Sequence, residues 1–430
     1  MSTLRILREF AAVRWLRPLR TRPAVERRQR RLLQAHLRFL RRRSPYFRAL
    51  LASTSFDDLP LMDKTAMMAH FDEMNTAGVR RDDALALAMA NERAREFDAD
   101  LGDLSVGLSS GTSGHRGLFV VGGAERDAWV GAVLARTLPR GRALGHRIAL
   151  FLRADNSLYE SVGSRAVSFR YFDVYADMDE NIARLRDYAP TILVAPPSVL
   201  RPIARAADSG AFDVVPQKVY SVAEVLEVAD EQRIAASLGQ SVLHQLYQCT
   251  EGFLGHTCER GVLHLNEDSV LIEREMLDAR RFVPIVTDLR RRAQPIIRYR
   301  LGDVLRLRAE PCECGSALTA LDRIEGREGD TLHLRGHDGR SIPVFADLVS
   351  RALLFAEGFD EYRVAQTGES RIEVALDVID DRSTLSVEAE LHRLADRLSC
   401  ERPEVVFVPY AHDGSVKLRR VVRAWGDGQS

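Results

Sequence analysis

The chain lacks several features that would place it in a special class of protein. No run reaches the roughly 18 consecutive apolar residues of a membrane-spanning helix. The first twenty residues mix arginines among their apolar positions and have no uninterrupted apolar centre of a secretory signal. Five cysteines in 430 residues do not suggest a disulfide framework. These absences argue against a small secreted scaffold and make the cytoplasm the default compartment.

Lysine and net charge are also scarce. The chain has 61 basic and 61 acidic residues, so its formal net charge of zero does not support a general nucleic-acid-binding role. Only Lys64, Lys218 and Lys417 are lysines. A GC-rich genome explains the abundance of arginine, but an ammonium group is a compact point charge, whereas guanidinium is a planar fork. Lys417 is therefore a candidate for a role that arginine cannot fill.

Residues 1–44 depart from this balance, with fourteen arginines against two glutamates. Leucines at helical spacing predict an amphipathic basic helix over residues 24–43. Such a helix could touch anionic lipid or RNA. A solvated helix packed on the main domain is the alternative that we favour.

The middle of the chain alternates between apolar runs and helical stretches. Strands are predicted over 147–153, 191–197, 218–224 and 241–248. Helices are predicted over 125–137, 178–188, 198–209 and 229–238. This alternation indicates an α/β fold of mixed sheets flanked by helices. Residues 262–309 have shorter strands and turns, which predict an antiparallel β subdomain.

The same pattern predicts the domain organisation. We expect a basic helical leader (1–43), then a large N-terminal domain (44–325) with its β subdomain at about 258–320. A small mobile α+β C-terminal domain follows (326–430), joined by a hinge at 326–330.

Four polar islands interrupt the apolar pattern, at 109–117, 247–252, 298–303 and 323–330. The first, SSGTSGHRG, is either a flexible surface loop or a loop whose backbone N–H groups and hydroxyls hold a polyphosphate. YQCTEG offers Tyr247 to stack on a base, Thr250 to bind a phosphate and Glu251 to hold Mg²⁺. RYRLGD offers Asp303 for ribose hydroxyls, and Arg327 is a second nucleotide anchor. Together these residues predict a mononucleotide site.

The motifs and their order resemble the adenylate-forming enzymes, the superfamily of acyl-CoA ligases and luciferases. The phosphate loop is neither a Walker A loop nor a dinucleotide-binding G-x-G-x-x-G motif. It is similar to the phosphate loop of this family. Later motifs of the family are matched by SVAEVL, YQCTEG, RYRLGD, GREGDTLHLRG and GSVKLRRV. The resemblance runs from about residue 44 to the C-terminus. It is strongest to the phenylacetate–CoA ligase-like branch, near the deazaflavin-adenylating synthetase-related proteins.

The resemblance implies a role for each matching residue. The β- and γ-phosphates of ATP would lie against the phosphate loop, formed by Ser109, Ser110, Gly111, Thr112, Ser113 and Gly114. The adenosine would contact Ala223, Glu224, Tyr247, Asp303 and Arg327. The catalytic groups would be Thr250 at the α-phosphate, Glu251 on Mg²⁺, and Lys417 at the α-phosphate and the attacking carboxylate.

Two departures from the family pattern bear on the second half-reaction. Gly329 stands where the hinge motif of the family commonly has an acidic residue. Val416 stands where a glycine usually precedes the lysine. Both put transfer to CoA in question more than adenylation.

The remaining cysteines allow two interpretations. Cys258, His264, Cys312 and Cys314 could form a structural Cys₃His zinc site. The C-x-C spacing is tighter than the usual zinc motif, so buried free thiols are the alternative, slightly favoured here.

The sequence thus predicts an AMP-forming acid–thiol ligase that uses ATP, Mg²⁺ and CoA on an aromatic or otherwise hydrophobic carboxylic acid. Two rivals stay open: an adenylyltransferase or amide-forming ligase with another acceptor, and a nucleotide-binding protein that has lost catalysis. No nucleic-acid partner and no transmembrane segment are expected, and a homodimer is left open.

Overall fold

We describe the fold from a computed structural model, which describes residues 2–16, 19–94, 101–108, 117–141, 144–152, 167–353, 355–411 and 418–425. The chain divides into two compact units. The first comprises Met1–Ala223, Arg233–Leu301 and Leu307–Arg323, and the second comprises Glu224–Gln232, Gly302–Arg306 and Ile324–Ser430. Segment 1–43 lies within the first unit. Among the described residues, no helix combines the length and the apolar character needed to cross a membrane.

A mixed sheet forms the centre of the first unit. Its parallel strands run in the order β4-β3-β5-β6-β7, and β8, β9 and β14 continue it antiparallel. The strands are β3 (His146–Leu152), β4 (Val167–Asp173), β5 (Ile192–Ala195), β6 (Lys218–Val222), β7 (His244–Cys249), β8 (Gly252–Thr257), β9 (Leu263–Leu265) and β14 (Ala320–Arg327). The α/β class is confirmed. Strand β4 lies at the edge of this sheet and was not predicted, although the first five residues of VSFRYFD alternate as in a half-buried strand.

Helices cover this sheet and the segments around it. They are α1 (Thr3–Ala11), α2 (Arg22–Arg43), α3 (Pro45–Ser53), α4 (Lys64–Ala69), α5 (Phe71–Met74), α6 (Arg81–Ala94), α7 (Gly123–Thr137), α8 (Met178–Tyr188), α9 (Pro197–Asp208) and α10 (Val228–Ser237). A π-helical turn at Ala12–Leu16 extends α1. The short strands are β1 (Leu104–Leu108), β2 (Leu118–Gly122), β10 (Val270–Met276), β11 (Arg281–Asp288), β12 (Tyr299–Arg300) and β13 (Asp303–Leu307). The β10–β11 and β11–β12 pairs are antiparallel, as was predicted for the β subdomain.

The second unit is a small α+β fold. Its four-stranded sheet has the order β19-β18-β17-β20, and β17–β18 is the antiparallel pair. Its elements are β15 (Leu332–Arg335), β16 (Ser341–Val344), α11 (Ala346–Leu353), β17 (Tyr362–Gly368), β18 (Arg371–Leu376), α12 (Asp381–Arg397), β19 (Glu404–Pro409) and β20 (Val421–Arg423). Helix α12 begins at Asp381, because the Asp380 side chain caps it by accepting the Ser383 N–H at 2.8 Å.

The N-terminal helices pack onto the first unit. Helix α1 lies against α7 so closely that a Cβ added at Gly131 would stand 2.6 Å from the Ile6 carbonyl oxygen. Glu9 forms a buried ion pair with Arg290. Arg14 donates to the carbonyls of Ala135, Leu138 and Pro139 at 2.7–2.9 Å, which satisfies the C-terminal end of α7. These contacts are consistent with the packed-helix interpretation of the leader.

Two buried histidines make folding stability depend on pH. Burial lowers the pKa of His36 on α2 and of His244 on β7 from 6.5 to about 4. Both histidines stay neutral in the folded chain, whereas in the unfolded chain they bind protons below the ordinary histidine pKa of about 6.5. Their contribution to the free energy of unfolding is therefore complete above about pH 6.5 and is lost as the pH falls toward 4.

We expect each histidine to lower the free energy of unfolding by about 2 kcal/mol between pH 8 and pH 5. Urea unfolding at both pH values measures this change. His36→Leu should remove one histidine's share of this pH dependence. A pH dependence of His36→Leu equal to that of the parent chain would contradict the assignment.

Candidate active site

Two predicted elements of the site lie outside the described residues. These are the phosphate loop, Ser109–Gly114, and the C-terminal lysine, Lys417. The strands on either side of the loop are described: β1 and β2 pair antiparallel, with Leu108 opposite Leu118. The loop therefore connects the two strands of a hairpin.

Thr250 and Glu251 form the tight turn that joins β7 to β8, with Cys249 opposite Gly252. The Thr250 hydroxyl donates to Glu251 Oε2 at 3.0 Å. Tyr299 also hydrogen-bonds to the Glu251 carboxylate, and burial together with this negative neighbour raises the Tyr299 pKa above its ordinary value. The phenol is therefore protonated and donates. Lys64, Thr250, Glu251 and Tyr299 line one small cavity with Gly117, the first described residue after the loop.

The donor set of this turn fits Mg²⁺. The ion prefers carboxylate oxygens and is usually held by one or two protein carboxylates together with substrate phosphates. Glu251 supplies one carboxylate whose orientation is set by two hydroxyl donors. An anionic phosphate in the same cavity would also meet the Lys64 ammonium group.

Arg291 and Gln294 attach strand β2 to this turn. Arg291 donates to the carbonyls of Thr250 at 2.5 Å and of Val120 at 3.3 Å. Gln294 accepts the Val120 N–H at 2.8 Å and donates to the Leu118 carbonyl at 3.1 Å. The strand that follows the phosphate loop is thereby held beside Glu251.

Sequence reasoning missed these supporting residues. Arg291 and Gln294 belong to no motif, and only the tertiary structure reveals them. Tyr299 lies inside RYRLGD, and Lys64 is one of three lysines, so both had a signal that was not used.

Two cavities lie near the turn. One has a volume of about 630 Å³ and lies beside α7, with Cys249, Thr250 and Asp288 in its wall. The other has a volume of about 170 Å³ and lies between α7 and the parallel strands. Trp129 and Gln248 line both cavities. The remaining lining of the smaller one is apolar apart from Thr137, and comprises Val130, Val133, Leu134, Ile148, Leu150, Phe169, Ile192, Val194, Val222, Ala223 and Leu246.

The predicted adenine contacts have unequal geometry. Ala223 directly follows β6 and has a φ of 67°, a left-handed conformation that is uncommon for a residue with a Cβ and is often found at functional sites. Glu224 is the next residue and is the first of the second unit. Tyr247 is only 6% exposed within β7, so its ring has little free face for stacking in this structure.

Asp303 and Arg327 meet within the second unit. Their Oδ1 and Nε atoms are 3.1 Å apart, and the Asp303 side chain is mostly buried. Gly326 next to Arg327 has a φ of 128°, which glycine adopts without strain. Arg419 donates to Asp330 Oδ1 through Nε at 2.8 Å, so the residue two positions after Lys417 is tied to the hinge motif.

The four predicted zinc ligands come together in the first unit. One ligand atom from each of Cys258, His264, Cys312 and Cys314 lies within 4.8 Å of all the others. The Cys258 and Cys312 sulfurs are 3.7 Å apart, and Cys314 Sγ is 3.4 Å from His264 Nε2. His264 Nδ1 lies 3.0 Å from the Leu318 carbonyl, which leaves Nε2 as the ligand atom. Tetrahedral Zn²⁺ with bonds of about 2.3 Å to sulfur separates two sulfurs by about 3.8 Å, so the cluster fits zinc.

Comparisons with known proteins agree with this fold. No protein-family model matches the chain. A phenylacetate–coenzyme A ligase from Thermus thermophilus is 25% identical over 335 residues, which cover 68% of this chain and 72% of that protein. The crystal structure of 2-hydroxyisobutyryl-CoA ligase in its postadenylation state is similar with a TM-score of 0.69 and 16% identity, covering 94% of this chain and 89% of that one. An amide bond synthetase from Marinactinospora thermotolerans gives a TM-score of 0.55 and 14% identity, covering 74% and 68%.

The fold, the ordered motifs and these similarities point to one class of protein. The chain has the fold of the acyl-CoA ligases. Its sequence is similar to that of a phenylacetate–CoA ligase.

Proposed function

We propose that this protein uses ATP to convert a hydrophobic carboxylic acid into an acyl-adenylate, and then transfers the acyl group to the thiol of CoA. The observation that carries the proposal is the Thr250–Glu251 turn, which Tyr299 orients. Thr250 lines a cavity that shares Gln248 and Trp129 with an apolar pocket. The phosphates of ATP would need the polar surroundings of the turn, and a hydrophobic acid would need the apolar pocket. The two would have to lie close together for the acid to react with ATP.

The first step joins two anions, because a carboxylate oxygen attacks the α-phosphorus while pyrophosphate leaves. The barrier is therefore largely electrostatic, and fixed donors and cations lower it. Mg²⁺ held by Glu251 would neutralise phosphate charge. Thr250 would bind the α-phosphate, residues 109–114 the β- and γ-phosphates, and Lys417 the charge that develops between the reacting oxygens.

The nucleoside would be held by the predicted motif residues. Asp303 would accept hydrogen bonds from the ribose hydroxyls, and its partner Arg327 would orient the carboxylate. Ala223, Glu224 and Tyr247 would lie beside adenine. Movement of the C-terminal domain about residues 326–330 would then exchange Lys417 for the thiol acceptor.

The apolar pocket supports a hydrophobic acid. Burying a charged or strongly polar tail among Val133, Leu150 and Ile192 without partners would cost several kcal/mol, on the order of the transfer free energy of the polar group. A volume of about 170 Å³ suits an aromatic ring or a short aliphatic chain.

We also propose that Cys258, His264, Cys312 and Cys314 hold one structural Zn²⁺. The four side chains come from two separate loops and strand β9, so the metal would attach these segments of the first unit to each other. It would supply no chemistry to the reaction, because all four ligand positions are taken by protein.

Acid-dependent ATP–pyrophosphate exchange without CoA tests the proposal. We expect benzoate, phenylacetate or octanoate to support exchange at least about tenfold faster than succinate or aspartate, because apolar side chains line the pocket apart from Thr137 and Gln248. Lys417→Ala should lose exchange and still bind ATP. Adding CoA should release AMP with the acids that support exchange; release with an amine instead would identify an amide-forming ligase.

A filled pocket separates the acid assignment from the reaction. Val133→Trp should reduce exchange with apolar acids, whereas Val215→Trp, at a residue 69% exposed, is the matched control. Equal exchange in both variants would refute the pocket assignment alone. No exchange with any acid in the parent chain would refute adenylation and favour a nucleotide-binding protein.

A further inference from the structure

The charges of the chain are segregated. Residues 1–44 carry fourteen arginines and two glutamates, which leaves 47 basic and 59 acidic residues in the remainder of this neutral chain. A GC-rich genome explains arginine in place of lysine, but it does not explain why one segment is basic and the rest acidic. Such asymmetry is typical of proteins that meet a polyanion or a membrane surface.

The arginines of α2 lie on one face. Arg27, Arg30, Arg31, Arg38, Arg41 and Arg42 are all exposed and follow the i, i+3, i+4, i+7 spacing of a single helical surface. The opposite surface is buried through Val25, Gln29, His36 and Leu40. Within the part of the chain that the structure describes, none of these six arginines forms an ion pair.

This face is unfavourable for an isolated helix. Like charges three or four residues apart repel by a few tenths of a kcal/mol, on the order of 0.2–0.5 per pair. The glutamates of the segment do not offset this repulsion, because Glu9 pairs with Arg290, and Glu26 pairs with Arg22. An external anionic surface would offset it.

Helix α1 and its π-helical turn expose apolar side chains. Leu4, Leu7, Trp15 and Leu16 are 58–77% exposed, although the neighbouring Phe10 is buried. Leu4, Leu7 and Trp15 share one face with Arg8. Both helices are anchored on the same segment of the first unit, since Glu9 of α1 pairs with Arg290, and the Arg292 guanidinium lies 4.8 Å from the Phe39 ring centroid of α2.

We propose that α1 and α2 dock this protein on the surface of an anionic lipid bilayer. The arginine face of α2 would meet lipid phosphates, and the leucines and tryptophan of α1 would enter the boundary between headgroups and acyl chains. Exposed leucines favour lipid over nucleic acid, because a phosphate backbone offers arginine its partners but offers an aliphatic side chain nothing to bury against. Docking is independent of the proposed chemistry.

Co-sedimentation of the full chain with vesicles tests docking. We expect the chain to bind vesicles of phosphatidylcholine that contain about one third phosphatidylglycerol. Binding to phosphatidylcholine alone should be much weaker, and high salt should abolish binding to the anionic vesicles. The triple variant Arg27→Gln, Arg31→Gln, Arg38→Gln should bind about 100-fold more weakly. In the matched control, glutamine replaces three arginines that are exposed in the second unit, Arg363, Arg371 and Arg397. This control variant should bind vesicles like the parent chain.

A second pair of variants tests the apolar part. Leu4→Gln with Leu7→Gln should weaken vesicle binding about tenfold, whereas Val378→Gln with Leu385→Gln, at residues 45% and 66% exposed, should not. Vesicle binding that is unchanged in the arginine triple variant would overturn the proposal. So would a parent chain that binds a duplex or single-stranded oligonucleotide through the same arginines at salt concentrations where it ignores anionic vesicles.

Discussion

Glu251→Gln should lower acid-dependent ATP–pyrophosphate exchange by at least about 100-fold, because a metal-held phosphate contributes several kcal/mol of charge stabilisation. The substitution keeps the shape of the side chain and its contact with the Thr250 hydroxyl. It removes the negative charge that would hold Mg²⁺. The Mg²⁺ concentration needed for half-maximal exchange should therefore rise as well, which a merely structural residue would not cause.

Tyr299→Phe gives a graded comparison. It removes one hydrogen bond to the Glu251 carboxylate and leaves the charge, so we expect a loss of about tenfold, corresponding to one hydrogen bond to a charged group. Glu369→Gln, at an exposed position of the second unit, is the control for removing a carboxylate and should leave exchange unchanged. If Glu251→Gln kept the parent rate and the parent Mg²⁺ dependence, Glu251 would have no part in holding the metal.

Zinc removal should have the second largest effect, on stability rather than on chemistry. The purified chain should contain one zinc ion per molecule by elemental analysis, and Cys312→Ser or Cys314→Ser should lose it. We expect these variants to unfold at a temperature lower by about 10 °C, because a structural zinc site contributes several kcal/mol of folding free energy. Treating the parent chain with a chelator should have the same effect.

Cys400→Ala is the control for zinc content, since Cys400 is buried in the core of the second unit, and should keep the metal. The free-thiol alternative makes the opposite prediction. A chain without zinc, in which all five thiols react with a thiol reagent after unfolding, would refute the metal site.

Local patterns were enough to predict most of the fold. The runs IALFL and ILVA are apolar at every position, and a strand buried on both faces requires that composition, so β3 and β5 were predicted close to their observed bounds. Strand β4 was missed because it has no continuous apolar run: the polar Ser168 and Arg170 alternate with apolar residues, as suits a strand at the edge of the sheet. Short strands such as β20 (Val421–Arg423) offer too few residues for any period to be recognised.

The candidate site was only partly predictable. Motif order identified Thr250, Glu251, Asp303 and Arg327, because each motif is local in sequence. It could not identify the partners that orient them. Tyr299 is separated from Glu251 by 48 positions (roughly the length of the β subdomain), and a single sequence carries no information on which distant side chains meet.

The amino-acid sequence by itself determined the α/β class, the ordered nucleotide motifs and the basic character of the leader, because each depends on residue type and short-range spacing. Only the tertiary structure decided that the four candidate zinc ligands converge, that an apolar pocket shares Gln248 and Trp129 with the cavity beside Thr250, and that six arginines of α2 face outward without ion-pair partners among the described residues. The reason is physical: convergence depends on how distant segments pack, and packing is a property of the whole chain rather than of any stretch of it.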